Sequence, residues 1–84
     1  MRYSPFTLTG SSLKLLKPGE RGIVARLVAA NDRIARKLKE LGIVPGMTIR
    51  VEQRSPRFII QAGLTRLALS DEMIQAIYVR LPSH

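Results

Sequence analysis

The stretch Leu38-Lys39-Glu40-Leu41-Gly42-Ile43-Val44-Pro45-Gly46-Met47-Thr48-Ile49-Arg50-Val51 holds a helix end, a turn and a strand start. Leu38 and Leu41 continue an apolar stripe begun by Ile34, at i, i+4 and i+7, the spacing of one helix face. Gly42 stops that helix, because the residue just past a helix end favours the left-handed conformation that glycine adopts without strain. Pro45-Gly46 fits positions i+1 and i+2 of a type II turn, since proline presets φ and glycine accepts a positive one. Beyond the turn the apolar period becomes two, with Ile49 and Val51 inward and Arg50 outward. A helix passes into a strand with no long loop between them.

Upstream, Asn31 or Asp32 can cap the helix, which is expected over about 32–41. Gly22 to Val28 alternates as a strand, with Ile23, Ala25 and Leu27 on one face, and a second Pro-Gly turn, Pro18-Gly19, precedes it. Downstream, Thr48 to Gln53 or Arg54, Phe58 to Ala62 and Thr65 to Leu69 read as three more strands, with Gly63 in a turn. Ser70-Asp71-Glu72 reads as an N-cap followed by two acids, the start of a helical turn over about 70–75. Ala76 to Leu81 alternates again as a last strand, with Ile77, Val79 and Leu81 inward. Short strands at this spacing predict a mainly β fold: a small SH3-like five-stranded barrel with one inserted α-helix and one short helical turn.

The expected core is Ile23, Leu27, Ile49, Val51, Ile60, Leu67, Ile77 and Val79, with Phe58 beside Ile60 and the helix docked through Leu38 and Leu41. Residues 1–12, rich in Ser, Thr and Pro, read as a poorly ordered N-terminal arm that at most pairs one short edge. Residues 13–84 read as one domain. The chain has 84 residues, enough for a single modest core and no second one.

Charge is the unusual feature of the composition. Fourteen Lys and Arg against six Asp and Glu give a net charge of +8, which favours acidic partners. All the basic residues except Arg2, Lys14 and Lys17 lie beyond residue 20, so the charge belongs to the domain. The longest apolar runs, Leu27–Ala30 and Ala76–Val79, are four residues each, far below the ~18 a membrane helix needs. Met1 to Ser12 also lacks the apolar stretch of a signal peptide.

The residue inventory argues against an enzyme. There is no cysteine, the one histidine is His84, and Ser70 has a capping role with no base beside it. The acids Glu20, Asp32, Glu40, Glu52, Asp71 and Glu72 are scattered along the chain, and no phosphate-binding glycine motif is present. Met47 and Met73 read as core fillers, and without His or Cys clusters no dedicated transition-metal site or cofactor is expected. The charged groups remain. Arg50, Arg54, Arg57 and Arg66 cluster around the second to fourth strands, and alternation would place Arg50 and Arg54 on one outward face.

The order of Leu16-Lys17-Pro18-Gly19-Glu20, Gly22-Ile23-Val24, Leu38-x-x-Leu41-Gly42-Ile43-x-Pro45-Gly46-x-x-Ile49-x-Val51, Ala68-Leu69-Ser70 and Ala76-Ile77-x-Val79 resembles the FeoA family over residues 13–81. Arg54-Ser55-Pro56-Arg57 is shorter and more charged than the corresponding family loop, and Ser70 stands where an Arg is common. The resemblance implies an SH3-like barrel with the helix clipped across it. It also implies a non-enzymatic, cytoplasmic, protein-binding accessory of ferrous-iron (Fe2+) uptake that acts on the membrane GTPase permease FeoB at the inner face of the cell membrane. Related domains end metal-responsive transcription regulators, whose DNA-binding and dimerisation parts are missing from this chain.

Two surfaces are candidates for the partner: the helix–barrel groove near Leu38, Leu41 and Ile43, and the arginine face of Arg50, Arg54, Arg57 and Arg66. The alternative is a small basic barrel that binds RNA or DNA through the same arginines, with Tyr78 as a stacking group. It is the weaker reading, because Tyr3, Phe6, Phe58 and Tyr78 are the only aromatic residues.

Overall fold

The computed structural model describes residues 10–82. Among these residues six strands form one antiparallel sheet: β1 (Ser11–Ser12), β2 (Arg21–Leu27), β3 (Thr48–Gln53), β4 (Phe58–Ala62), β5 (Thr65–Leu69) and β6 (Ile77–Arg80), in the order β1-β6-β2-β3-β4-β5. Helix α1 (Asp32–Glu40) links β2 to β3, and α2 (Asp71–Ala76) links β5 to β6. The expected count of five strands is corrected to six, because Ser11 and Ser12 pair with Val79 and Tyr78. The rest of the expected N-terminal arm, residues 1–9, lies outside the described residues. Among the described residues the edge strands β1 and β5 do not pair; α2 touches both and closes the curled sheet.

The deciding stretch folds by a specific set of hydrogen bonds. Asn31 caps α1, its Oδ1 accepting from the Ile34 N–H at 3.0 Å. At the other end the Gly42 N–H donates to the Lys39 carbonyl, and the Ile43 N–H to the Leu38 carbonyl, both at 3.0 Å. Gly42 has φ +78°. This is a Schellman stop, in which the residue after the glycine turns back onto the helix. It brings Ile43 against Leu38, and the two are 0% and 1% exposed.

Both Pro-Gly turns form as expected. The Met47 N–H donates to the Val44 carbonyl, and the Glu20 N–H to the Lys17 carbonyl. Each turn is then pinned to the other strand's chain: Gly46 and Met47 exchange hydrogen bonds with Val24, and Gly19 and Glu20 with Val51. Gly22 is favoured for a different reason, a close approach. A Cβ there would stand 3.0 Å from the Leu16 side chain and 3.0 Å from Val79 Cβ.

Two interruptions of register change the expected faces. In β2, Val24 opposes Val79 but Arg26 opposes Tyr78, so Ala25 is an extra residue and the alternation slips. Val24 is therefore buried with Val79, whereas Ile23, expected in the core, opposes Arg80 and is only half-buried. After the slip Leu27 faces Ile77 and packs on the core from a half-buried position. In β3 the same happens between Val51 and Gln53.

Ile49, Val51, Ile60, Ile77 and Val79 are fully buried, Phe58 is buried and Leu67 is half-buried. Leu81 lies past the end of β6 and is exposed rather than inward. The core also takes Leu13 and Leu16, three residues apart around a 3-10 turn, together with Met73 and Ile74 from α2.

Candidate functional site

Leu38 and Ile43 are corrected as contact residues, because the Schellman stop buries both and leaves almost nothing for a partner to touch. Leu41 is half-buried against the same core. The helix–barrel groove is a packing seam.

The arginines do not form one face. The β3 irregularity breaks the alternation expected to align Arg50 with Arg54, and the set divides in two. Arg54 and Arg57 lie in the β3–β4 loop, which is tied across its base by Gln53 Nε2 donating to the Arg57 carbonyl at 3.2 Å. Both line a cleft of about 520 Å³ with Lys14, Pro56, Ser70 and Asp71. Its floor is apolar: Phe58 and Leu69, directly opposite each other on β4 and β5, and Ile74 from α2. Among the described residues, three cations from two separate segments thus face a single carboxylate, Asp71, around a hydrophobic base.

Local structure explains how these groups converge. Ser12 Oγ accepts from the Lys14 N–H at 3.2 Å, and the 3-10 turn buries Leu13 while Lys14 points out. Ser70 caps α2, its Oγ accepting from the Met73 N–H at 3.3 Å, and this sets Asp71 at the cleft wall and Ile74 beneath it. Lys14, Leu69 and Ile74 were not legible as site residues. The one available signal was the i, i+3 spacing of Leu13 and Leu16, which turns Lys14 outward.

Arg50 and Arg66 sit elsewhere. The register pairs Arg21 with Arg50, Arg50 with Gln61, and Gln61 with Arg66, one row across four strands on the outer face. Arg66 is held by Glu52 at 2.7 Å. Tyr78, the proposed stacking group of the nucleic-acid reading, already carries Arg26, whose guanidinium carbon lies 4.4 Å from the ring centroid. A second groove between α1 and α2 is lined by Arg33, Arg36, Lys37 and Met73, and there Arg33 pairs with Glu72 at 3.0 Å.

Among the described residues, no three His, Cys, Asp or Glu gather as a metal site, and no helix is long and apolar enough to cross a membrane.

Cations set around an apolar cleft on a curled antiparallel sheet define a small SH3-like domain. Residues 11–81 match the FeoA domain model, and the chain belongs to the FeoA family. A Leptolyngbya boryana protein provisionally named Fe(2+) transport protein A is 52% identical over 77 residues, covering 90% of this chain and 94% of that one. The crystal structure of Stenotrophomonas maltophilia FeoA complexed with zinc, described as a procaryotic SH3 domain protein, is 32% identical with a TM-score of 0.71. The match covers 81% of this chain and 87% of that one. A crystal structure of an iron uptake regulatory protein (FeoA) is 30% identical with a TM-score of 0.72, covering 82% and 92%.

Proposed function

We propose that this chain is a non-enzymatic accessory of ferrous-iron transport that works by binding protein, with the cytoplasmic part of the FeoB-type GTPase permease as partner. Membership of the FeoA family supports the iron-transport setting. The observation that carries the binding role is the cleft, where Lys14, Arg54 and Arg57 surround the floor of Phe58, Leu69 and Ile74. Cations at a rim and an apolar base suit an acidic segment that carries one hydrophobic side chain. The charges steer and orient it, and the apolar anchor supplies contact area. On this reading the protein works in the cytoplasm, peripheral to the membrane's inner face, where such a permease presents its soluble part.

Titration of the full chain with the cytoplasmic part of the permease, in each nucleotide state, tests the proposal. Saturable binding in at least one state is expected. A folded chain that binds in none of them contradicts it. The nucleic-acid alternative makes a different prediction: oligonucleotide binding with a sequence or shape preference that survives at about 0.15 M ionic strength.

A further inference from the structure

The outer face of the sheet has a feature that cleft binding leaves unused. Arg21 and Arg50 stand directly opposite each other on β2 and β3. Like charges in that position repel, so the arrangement costs stability. Among the described residues neither has an ion-pair partner, whereas Arg66, in the same row, is neutralised by Glu52. Between the two arginines lies a concavity of about 310 Å³ that Thr48 and Gln61 also line, so a hydroxyl and an amide stand beside two guanidinium groups. Such a set matches the oxygens of a phosphate group.

The apolar part lies at the adjoining end of the same strands. Ala62 and Thr65 are the last pair of the β4–β5 hairpin, and Gln61–Arg66 is the pair next to it. The loop between is two residues, Gly63 with φ +64° and then Leu64, with glycine first as a type II′ turn requires. Gln61 Nε2 donates to the Gly63 carbonyl at 3.4 Å and ties the tip to the row. Leu64 is 101% exposed, the most exposed large apolar residue among those described. A leucine at a hairpin apex, one strand pair from a row of arginines roughly 14 Å wide, has the layering of a lipid surface. Anionic headgroups would meet the guanidinium groups, and hydrocarbon would lie just beyond for the leucine.

We infer that the Leu64 hairpin tip and the Arg21–Arg50 pair form a docking surface for anionic phospholipid. The inference deepens the peripheral location proposed above and rests on that reading. The lipid contact itself requires no protein partner, so vesicles free of protein separate its failure from a failure of cleft binding.

The full chain should co-sediment with vesicles of phosphatidylglycerol and phosphatidylcholine in equal parts, and not with phosphatidylcholine alone. Each basic side chain near an anionic surface strengthens partition about fivefold, so Arg21→Gln with Arg50→Gln should weaken it about 30-fold. Leu64→Ser should weaken it about tenfold. Arg36→Gln with Lys37→Gln on α1 should weaken it much less than the Arg21 and Arg50 pair. Leu64→Trp should show a blue-shifted emission with the anionic vesicles only. Equal losses from the α1 and β2–β3 pairs would overturn the inference, since they would mean diffuse attraction by net charge. It also fails if there is no co-sedimentation, if the tryptophan emission does not shift, or if Leu64→Ser instead abolishes self-association in sedimentation equilibrium.

Discussion

The two ends of the β4–β5 hairpin share one ladder of paired residues and treat apolar side chains in opposite ways. At the Phe58–Leu69 end, α2 and the 3-10 turn lie over the strands, the large side chains sink into the core, and cations rim the cleft above them. At the Ala62–Thr65 end the chain turns within two residues and Leu64 stands wholly in solvent. Hydrophobicity does not distinguish Leu69 from Leu64; what packs over each one does. One end is therefore a walled cleft and the other a bare tip.

That contrast can be broken by substitution, and the expected effects fall in order. Phe58→Ala removes a buried ring from the cleft floor and should cost about 3–5 kcal/mol in denaturant unfolding. Leu38→Ala empties one side of the Schellman contact with Ile43 and should cost about 2–5 kcal/mol. A loss below about half a kilocalorie, within the range of surface changes, would mean that α1 is not packed as described. Gly42→Ala meets no atom within 4 Å, so only its φ of +78° opposes it, and the same measurement should show about 1–2 kcal/mol. Leu64→Ser, at the uncovered end, should change stability by no more than about 0.5 kcal/mol. A large loss there would show that the tip is packed, and the contrast would collapse.

Most of the fold was legible because its signals are local. Strands β3, β4 and β5 match their expected bounds, since period-two alternation and turn glycines act over a few residues. Both helix caps, Asn31 and Ser70, follow from hydrogen bonds reaching only three residues. The misplaced face of Ile23 has a long-range cause: the extra residue at Ala25 becomes apparent only when β2 lies against β6. β1 is two residues long and exists through its pairing with β6, which no local pattern announces.

The site was less legible for the same reason. Charge alone singles out Arg54 and Arg57, but their separation from Arg50 depends on the β3 irregularity. Lys14 joins the cleft only when the 3-10 turn packs on α2. At Leu38 and Ile43 a buried stripe and a binding stripe have the same spacing, so sequence alone does not separate a groove from a packed seam.

The most direct test compares two charge reversals in the titration against the permease's cytoplasmic part. Arg54→Glu with Arg57→Glu removes two charged contacts from the cleft rim and should weaken binding at least about tenfold. Arg21→Glu with Arg50→Glu carries the same change of net charge on the outer face and should leave that affinity within about threefold, since rim charges far from a contact are largely screened. Equal weakening by both pairs, or none from the cleft pair, would contradict the account.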